Sequence, residues 1–176
     1  MRVRNVWLVA ILLAMLVPGG AVRADTVEED SVKAAYLLNF AKYAEWPATV
    51  MGGGELYICT LSAQALSGKL ESLQEKQVQG KQIRLRTVTR ASEWRGCHVL
   101  YLAADEEQRA DTILRNLAQF PVLTVSDAPG FAQAGGIIGL KLRAGRIRFD
   151  INQGAARHSG LTLSSQLLKL ADEVLP

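Results

Sequence analysis

The apolar and polar positions of residues 32–47, VKAAYLLNFAKYAEWP, repeat with the period of a helix. Aromatic residues recur there every three or four positions, which places them on one face. Thr26 with Glu29 three positions later matches a capping box, and Pro47 ends the helical pattern. We therefore predict a helix from Thr26 to Pro47 that packs its aromatic face on a sheet. That face comprises Val32, Tyr36, Asn39, Phe40, Tyr43 and Trp46.

The opposite face of this helix is less polar than a free surface helix requires. It comprises Ala34, Leu38, Ala41, Lys42 and Glu45. The sequence leaves two interpretations open for it. Either a partner protein or a second subunit of the same chain packs on the surface around Leu38.

Strand and helix patterns alternate along the rest of the chain. Strands are predicted at 56–61, 82–88, 97–103 and 122–127, and helices at 62–74, 105–119 and 164–174. The run CHVLYLA at 97–103 is almost continuously apolar, which is typical of a central strand covered on both faces. The segments GIIGLKL and RIRFDIN flank Arg143-Ala144-Gly145 and predict a hairpin. This order predicts a single α/β domain with a mostly parallel sheet, helices on both faces and a C-terminal β-hairpin.

Residues 1–24 have the parts of a secretory signal peptide. Arg2 and Arg4 precede an apolar run of 12 residues, and Val22-Arg23-Ala24 offers small residues before a cleavable bond. The run is shorter than the ~18 residues of a membrane-spanning helix, which makes a retained anchor the weaker interpretation. We predict cleavage after Ala24 and a mature domain over residues 25–176 in a bacterial periplasm.

The charge of the chain changes when this leader is set aside. Three of the 20 Lys and Arg residues lie in it and none of the 17 acidic ones, so residues 25–176 carry 17 basic and 17 acidic side chains. A near-neutral domain lacks the positive surface of a nucleic-acid binder, and we expect no nucleic-acid partner. One local excess of positive charge is left, at Lys141, Arg143, Arg146 and Arg148, with Asp150 beside them. It fits either a solvated strand face or a stripe that binds a partner.

The sequence offers little for catalysis or metal binding. His98 and His158 are the only histidines of the chain and lie 60 positions apart, so no metal site is predicted. No phosphate loop, dinucleotide fingerprint or nucleophile elbow occurs, and we predict neither a catalytic residue nor a cofactor. Cys59 and Cys97 are the two cysteines. In an oxidising compartment they form either a disulfide or two buried thiols.

Five segments in order resemble the YfiR-like family of exported bacterial proteins. They are VKAAYLLNFAKYAEWP, RGCHVLYLA, TVSDAPGFAQAGGIIGL, GRIRFDIN and SSQLLKLA. The resemblance implies a periplasmic regulator without catalytic activity, which binds the periplasmic domain of an inner-membrane diguanylate cyclase and holds down cyclic di-GMP synthesis. In such systems an outer-membrane lipoprotein can sequester the repressor and release the cyclase.

The resemblance also bears on the cysteines. Cys59 and Cys97 match a cysteine pair of the family, which implies that they form a disulfide. Some relatives carry a second pair near the segment PGFAQAGG, where this chain has Phe131 and Ala132. Redox control through a second bridge is therefore not implied.

We expect a homodimer that binds its partner through the C-terminal part of the chain, because Arg is enriched at interface hot spots. The predicted partner-binding residues are Arg146, Arg148, Arg157, His158 and Leu161, with Leu38 of the first helix as the next candidate. The alternative function is a periplasmic small-ligand sensor that serves another receptor or sensor kinase. Its pocket would lie at the carboxyl ends of the strands, near Thr60, Ala103 and Ser126.

Overall fold

A mixed eight-stranded sheet forms the centre of residues 21–176, the part of the chain that the structure, a computed structural model, describes. Side chains are described from Glu28 onward. The α-helices are α1 (Ala21–Tyr43), α2 (Ala91–Trp94), α3 (Glu107–Leu117), α4 (Gln153–His158) and α5 (Ser165–Leu170). The strands are β1 (Ala44–Glu45), β2 (Glu55–Thr60), β3 (Gln77–Val78), β4 (Lys81–Thr87), β5 (Val99–Leu102), β6 (Leu123–Ser126), β7 (Ile138–Arg143), β8 (Arg146–Asn152), β9 (Thr162–Leu163) and β10 (Glu173–Leu175). Two 3₁₀ segments lie at Ala65–Leu73 and Ala104–Glu106.

The strand order across the main sheet is β10, β8, β7, β6, β5, β2, β4, β3. The neighbours from β4 to β7 run parallel, whereas β7 and β8 form an antiparallel hairpin with Lys141 opposite Arg148. Strands β1 and β9 form a separate antiparallel pair. The predicted fold class, an α/β domain with a mostly parallel sheet and a C-terminal hairpin, is confirmed.

Two apolar layers cover the sheet, one on each face. Alternation along β2 sends Ile58 into the layer that contains α1 and Cys59 into the layer that contains α3. The four residues of β5 are all buried, with Tyr101 on the α1 side and Leu100 on the α3 side. The prediction that 97–103 holds a central strand covered on both faces is confirmed.

A disulfide joins Cys59 of β2 to Cys97, two residues before β5, with 5.9 Å between their Cα atoms. Both cysteines are buried in the α3 layer, where Trp94 also packs. The bond therefore ties two central strands to the core on that side of the sheet.

Helix α1 buries a face that is rotated from the predicted one and shares Phe40 with it, while Tyr36 and Tyr43 of the predicted face are half-buried against the core. Its buried side chains are those of Lys33, Ala34, Leu37, Phe40 and Ala41. Val32 is 39% exposed and Asn39 is also exposed, so the predicted core face is wrong at both positions. Ala34 and Ala41 are core residues because their small side chains let α1 approach the sheet closely, whereas the helical period alone does not say which face does so.

Three predicted helix boundaries also differ from the structure. Helix α1 begins at Ala21, so Thr26 lies inside it and does not cap it. The predicted helix at 62–74 is a broken 3₁₀ segment, because Leu66, Ser67 and Gly68 adopt positive φ angles that interrupt the helical ladder. The last predicted helix stops at Leu170, after which β10 pairs parallel to β8 and extends the sheet.

Within residues 21–176, no helix is long and apolar enough to cross a membrane. The apolar run of the predicted signal peptide lies outside the described residues, and cleavage after Ala24 stays a prediction.

Candidate partner-binding site

A groove of about 670 Å³ runs between the outer face of α1 and the β7–β8 hairpin. We call it the helix–hairpin groove. It is lined by Glu28, Glu29, Val32, Tyr36, Leu142, Gly145, Arg146, Ile147 and Arg148. Two of its apolar side chains are unusually open to solvent, since Leu142 is 61% exposed and Val32 is 39% exposed. Large apolar side chains that lie together on a surface often mark an interaction site.

The floor of the groove is held by aromatic packing. Tyr36, Phe40 and Phe149 form a cluster with ring centroids 5.0 to 5.7 Å apart. The Tyr36 hydroxyl donates a hydrogen bond of 3.2 Å to the carbonyl oxygen of Ile147. That carbonyl belongs to the part of β8 that β10 leaves unpaired, because β10 pairs only with residues 150–152. The groove thus lies along a strand edge whose position α1 fixes.

Arg146 and Arg148 border this groove and are both exposed. Within residues 28–176 neither of them forms an ion pair, whereas other basic side chains of the hairpin are paired. Lys141 contacts Asp150 at 2.6 Å and Asp172 at 3.4 Å, and Arg143 contacts Asp172 at 3.2 Å. The hydrogen bond to Asp150 raises the pKa of Lys141. The positive charge that is left for a partner is therefore that of Arg146 and Arg148.

The other predicted partner residues lie elsewhere. Arg157 and His158 are exposed at the end of α4, and His158 lines a different cavity of about 180 Å³ between α3 and α4. Leu161 is 1% exposed, so it belongs to the core and does not form part of an exposed partner-binding surface as predicted. Its burial follows from the turn at Gly160, which directs the chain back towards the α1 layer.

Leu38 is not a free surface residue either. It is half-buried and packs against the core layer that contains α1, and it does not line the helix–hairpin groove. Within residues 28–43, the large apolar side chain of α1 that is exposed is instead Val32, which the helical period had assigned to the core. Sequence reasoning therefore missed the α1 half of the groove, including Tyr36 as its floor.

The strand ends proposed for a small ligand are largely filled by the protein itself. Thr60 and Ser126 are buried, and their hydroxyls bond locally, to the Ser62 carbonyl and the Ala128 amide. Thr60 lines a groove with the end of β4, but neither Ala103 nor Ser126 lines that groove. The three residues are thus not brought together around one cavity there.

A buried ion pair pins α1 to the carboxyl end of β6. Lys33 contacts Asp127 at 2.5 Å and Glu29 at 2.6 Å. Burial alone lowers the pKa of Lys33, but its hydrogen bonds to these two carboxylates outweigh burial and raise the pKa overall. This pair lies at the carboxyl edge of the sheet, one strand away from the switch point between β2 and β5 at which many open α/β folds bind ligands.

His98 has a structural environment. Its Nδ1 accepts a hydrogen bond of 3.0 Å from the Tyr57 amide, so the neutral ring carries its proton on Nε2, which lies 3.3 Å from the Val50 carbonyl oxygen. Burial lowers the pKa of His98, and Lys81 and Arg86 lower it further. Among the described residues no group of three or more His, Cys, Asp or Glu side chains is placed to hold a metal.

Comparison with known proteins identifies the family. The family model described as YfiR/HmsC-like matches residues 30–172. The chain belongs to the YfiR/HmsC-like family. This is a regulatory, non-catalytic family of the periplasm, and membership implies a periplasmic regulator of diguanylate cyclase signalling.

Two solved structures are similar at low level. A conserved domain protein from Vibrio cholerae O1 biovar El Tor strain N16961 is 12% identical with a TM-score of 0.47, over 69% of this chain and 54% of that one. The ABC domain from Streptococcus pneumoniae, solved in complex with L-Trp, is 12% identical with a TM-score of 0.47, over 69% of this chain and 55% of that one. The chain spans about half the length of these structures, and likeness at this level carries nothing about function.

Proposed function

We propose that this protein is a periplasmic repressor that binds the periplasmic domain of an inner-membrane diguanylate cyclase and lowers cyclic di-GMP synthesis. The observation that carries the proposal is the YfiR/HmsC-like match over residues 30–172. The matched range includes every residue that lines the helix–hairpin groove except Glu28 and Glu29. An outer-membrane lipoprotein that sequesters the repressor fits the same family pattern. Export through the cleaved leader would deliver the protein to that compartment.

The repressor acts by binding and not by catalysis. A protein that binds the inactive conformation of a cyclase more tightly than the active one shifts the population toward the inactive one. A shift from 1:99 to 99:1 needs about a 10⁴-fold difference in affinity, or roughly 5.5 kcal/mol. The helix–hairpin groove offers exposed apolar side chains and arginines. Contacts of these kinds can supply an affinity difference of this size when binding removes water from them.

The helix–hairpin groove is the proposed contact surface. Val32 and Leu142 supply exposed apolar area, and Arg146 and Arg148 supply cations that no carboxylate of the described residues neutralises. The fitting partner surface is an apolar projection with acidic residues at its rim. The protein acts as a homodimer in this proposal, which doubles the number of grooves that are offered to the cyclase.

The test uses the full-length protein with Arg146→Glu and Arg148→Glu combined. Exposed charges away from the core change stability by about 0.5 kcal/mol or less, so the thermal midpoint should hardly change. Capture of the cyclase from solubilised inner membrane should be lost, and cyclic di-GMP should rise to the level of a deletion strain. Arg115→Glu on α3 is the control for charge reversal outside the groove, because Arg115 is also an exposed arginine, in this case paired with Asp111 at 3.9 Å.

Two further variants separate this surface from its competitors. Leu142→Ser should weaken capture without a change of charge, since it removes the most exposed apolar side chain of the groove. Arg157→Glu, on α4, should leave capture intact. A folded Arg146 and Arg148 double variant that still captures the cyclase and represses fully would contradict the proposal. Loss of repression in Arg157→Glu alone would move the surface to α4.

A further inference from the structure

Strand β4 has an outer edge that is open over most of its length. Strand β3 pairs only with Lys81 and Gln82, and the Ile83 amide donates to the Lys76 carbonyl at 2.9 Å. Beyond Ile83, no strand of the described residues pairs with the outer side of β4. Unpaired strand edges are templates for another strand, and proteins usually cover or shorten them.

The direction of the β4 amides shows which groups are available. The Gln82 amide donates to the Gly54 carbonyl at 2.9 Å and the Val88 amide to the Thr60 carbonyl at 2.8 Å, both on the β2 side. Because alternate residues of a parallel strand bond to the same neighbour, the amides of Leu85 and Thr87 point outward. The edge therefore presents main-chain donors that are spaced for an added strand.

Both faces of this edge carry a groove. On the α1 side, a groove of about 190 Å³ lies against the edge. It is lined by Ile58, Thr60, Ala63, Ala65, Gly68, Leu70, Glu71, Gln74, Leu85, Arg86 and Thr87. On the α3 side, a groove of about 380 Å³ is lined by Arg86, Thr87, Val88, Ser92, Glu93 and Gly96. Since side chains of a strand alternate between its faces, an added strand would place one set in each groove.

The charge of the two faces differs. Arg84 and Arg86 lie on the α3 side, in register with Tyr57 and Cys59 of β2. The Arg86 guanidinium lies 3.3 Å from the centre of the Tyr57 ring, which holds it in place. Glu55 neutralises Arg84 at 2.8 Å, while Arg86 forms no ion pair within residues 28–176. Glu93 of the same groove is already paired with Arg90 at 2.7 Å, so the charge left unpaired in the α3-side groove is that of Arg86, whereas Glu71 lines the α1-side groove.

The charge of Arg84 and Arg86 indicates which kind of strand can bind at the β4 edge. If a second copy of the chain added its own β4 antiparallel, Arg84 and Arg86 would face arginines of the other copy, and like charges directly opposite destabilise a strand pair. An acidic strand would instead place carboxylates opposite Arg84 and Arg86, of which Arg86 has no carboxylate partner within residues 28–176, while its alternate side chains enter the groove beside Leu85 and Leu70.

We propose that the open edge of β4, residues 84–87, binds an extended segment of another protein in which acidic side chains alternate with small apolar ones. Main-chain hydrogen bonds to Leu85 and Thr87 give affinity, and the two grooves give specificity. This surface shares no lining residue with the helix–hairpin groove, and the inference does not rest on the proposed repression of a cyclase.

The test titrates the ¹⁵N-labelled protein with the peptide acetyl-Glu-Val-Glu-Val-Glu-amide, and separately with its counterpart in which Lys replaces Glu. The acidic peptide should shift the amide resonances of Leu85 and Thr87 and slow their hydrogen exchange, whereas the basic peptide should not. Shifts confined to the helix–hairpin groove, equal binding of both peptides, or no binding of the acidic peptide would each overturn the proposal.

Variants complete the experiment. Arg84→Glu combined with Arg86→Glu should weaken binding of the acidic peptide at least about tenfold and strengthen binding of the basic peptide, because like charges at an interface oppose association. Arg86→Gln, a milder change, should weaken binding of the acidic peptide with little effect on folding. Arg115→Glu is the control and should leave that binding unchanged. Concentration-dependent protection of Leu85 and Thr87 without peptide would show that a second copy occupies the edge and would overturn the acidic partner.

Discussion

Breaking the bond between Cys59 and Cys97 should lower the free energy of unfolding by about 4 kcal/mol. The two cysteines are separated by 38 positions, so the bond closes a long loop in the unfolded chain. The loop-entropy relation gives roughly 0.6 kcal/mol from its constant and roughly 3.2 kcal/mol from this loop length at 25 °C. A domain of this size has about 5–15 kcal/mol in total, so the reduced protein should be marginal.

The assay compares three samples by urea unfolding: the oxidised protein, the same protein reduced, and the Cys59→Ala, Cys97→Ala double variant. Reduced wild type keeps both sulfur atoms, so its loss measures the crosslink alone. The double variant also loses packing at two buried positions in the α3 layer, and should therefore be less stable than reduced wild type. The dependence on urea should steepen without the bond, because the unfolded chain exposes more surface.

The result that would refute this reasoning is a small loss in the reduced protein. If thiol labelling confirms full reduction and the unfolding free energy falls by less than about 1 kcal/mol, then the crosslink does not restrict the unfolded chain as the relation assumes. In cells, the expected loss should appear as low periplasmic abundance of the double variant, since proteases remove the unfolded fraction.

Two other predictions concern pH and processing. Because the pKa of folded His98 is lowered below its usual 6.5, neutral His98 stabilises the fold fully above that pH, and this contribution is lost as the pH falls. The free energy of unfolding in urea should therefore fall more between pH 7 and pH 5 for wild type than for His98→Gln, which keeps an acceptor for the Tyr57 amide. An equal fall in the two proteins would contradict the structural role of His98. Mass spectrometry of the exported protein should find Asp25 at its N-terminus, and a retained leader in the membrane fraction would defeat the predicted cleavage.

The sheet could be predicted closely because local patterns decided it. The apolar run of β5, the alternation in β4 and the turn at Arg143-Ala144-Gly145 each identify a strand without knowledge of its neighbours. Strand β10 could not be predicted in this way. It is three residues long and becomes a strand only because β8 offers a free edge beside it, a fact that depends on the order of strands and not on the local sequence.

The candidate site could also be predicted only in part. Arg146 and Arg148 stand out in the sequence as positive side chains on a hairpin, and the structure leaves both exposed. Val32 was assigned to the core because periodicity gives the angle between side chains and not the direction of the sheet. The open edge of β4 was missed for the reason that applies to β10: whether a strand lies at an edge is a property of the whole sheet.

The position of α1 supports the proposed protein partner over the alternative small-ligand sensor. Its middle turns are fixed near the carboxyl ends of the strands by Lys33 with Asp127 and by the hydrogen bond from Ser67 to Asp30 at 2.6 Å. Open α/β sheets usually bind small ligands at those ends, and here α1 covers part of them. Among the surfaces that the described residues leave open, the helix–hairpin groove and the β4 edge are both bordered by arginine. Each therefore fits the proposed protein segments with acidic side chains.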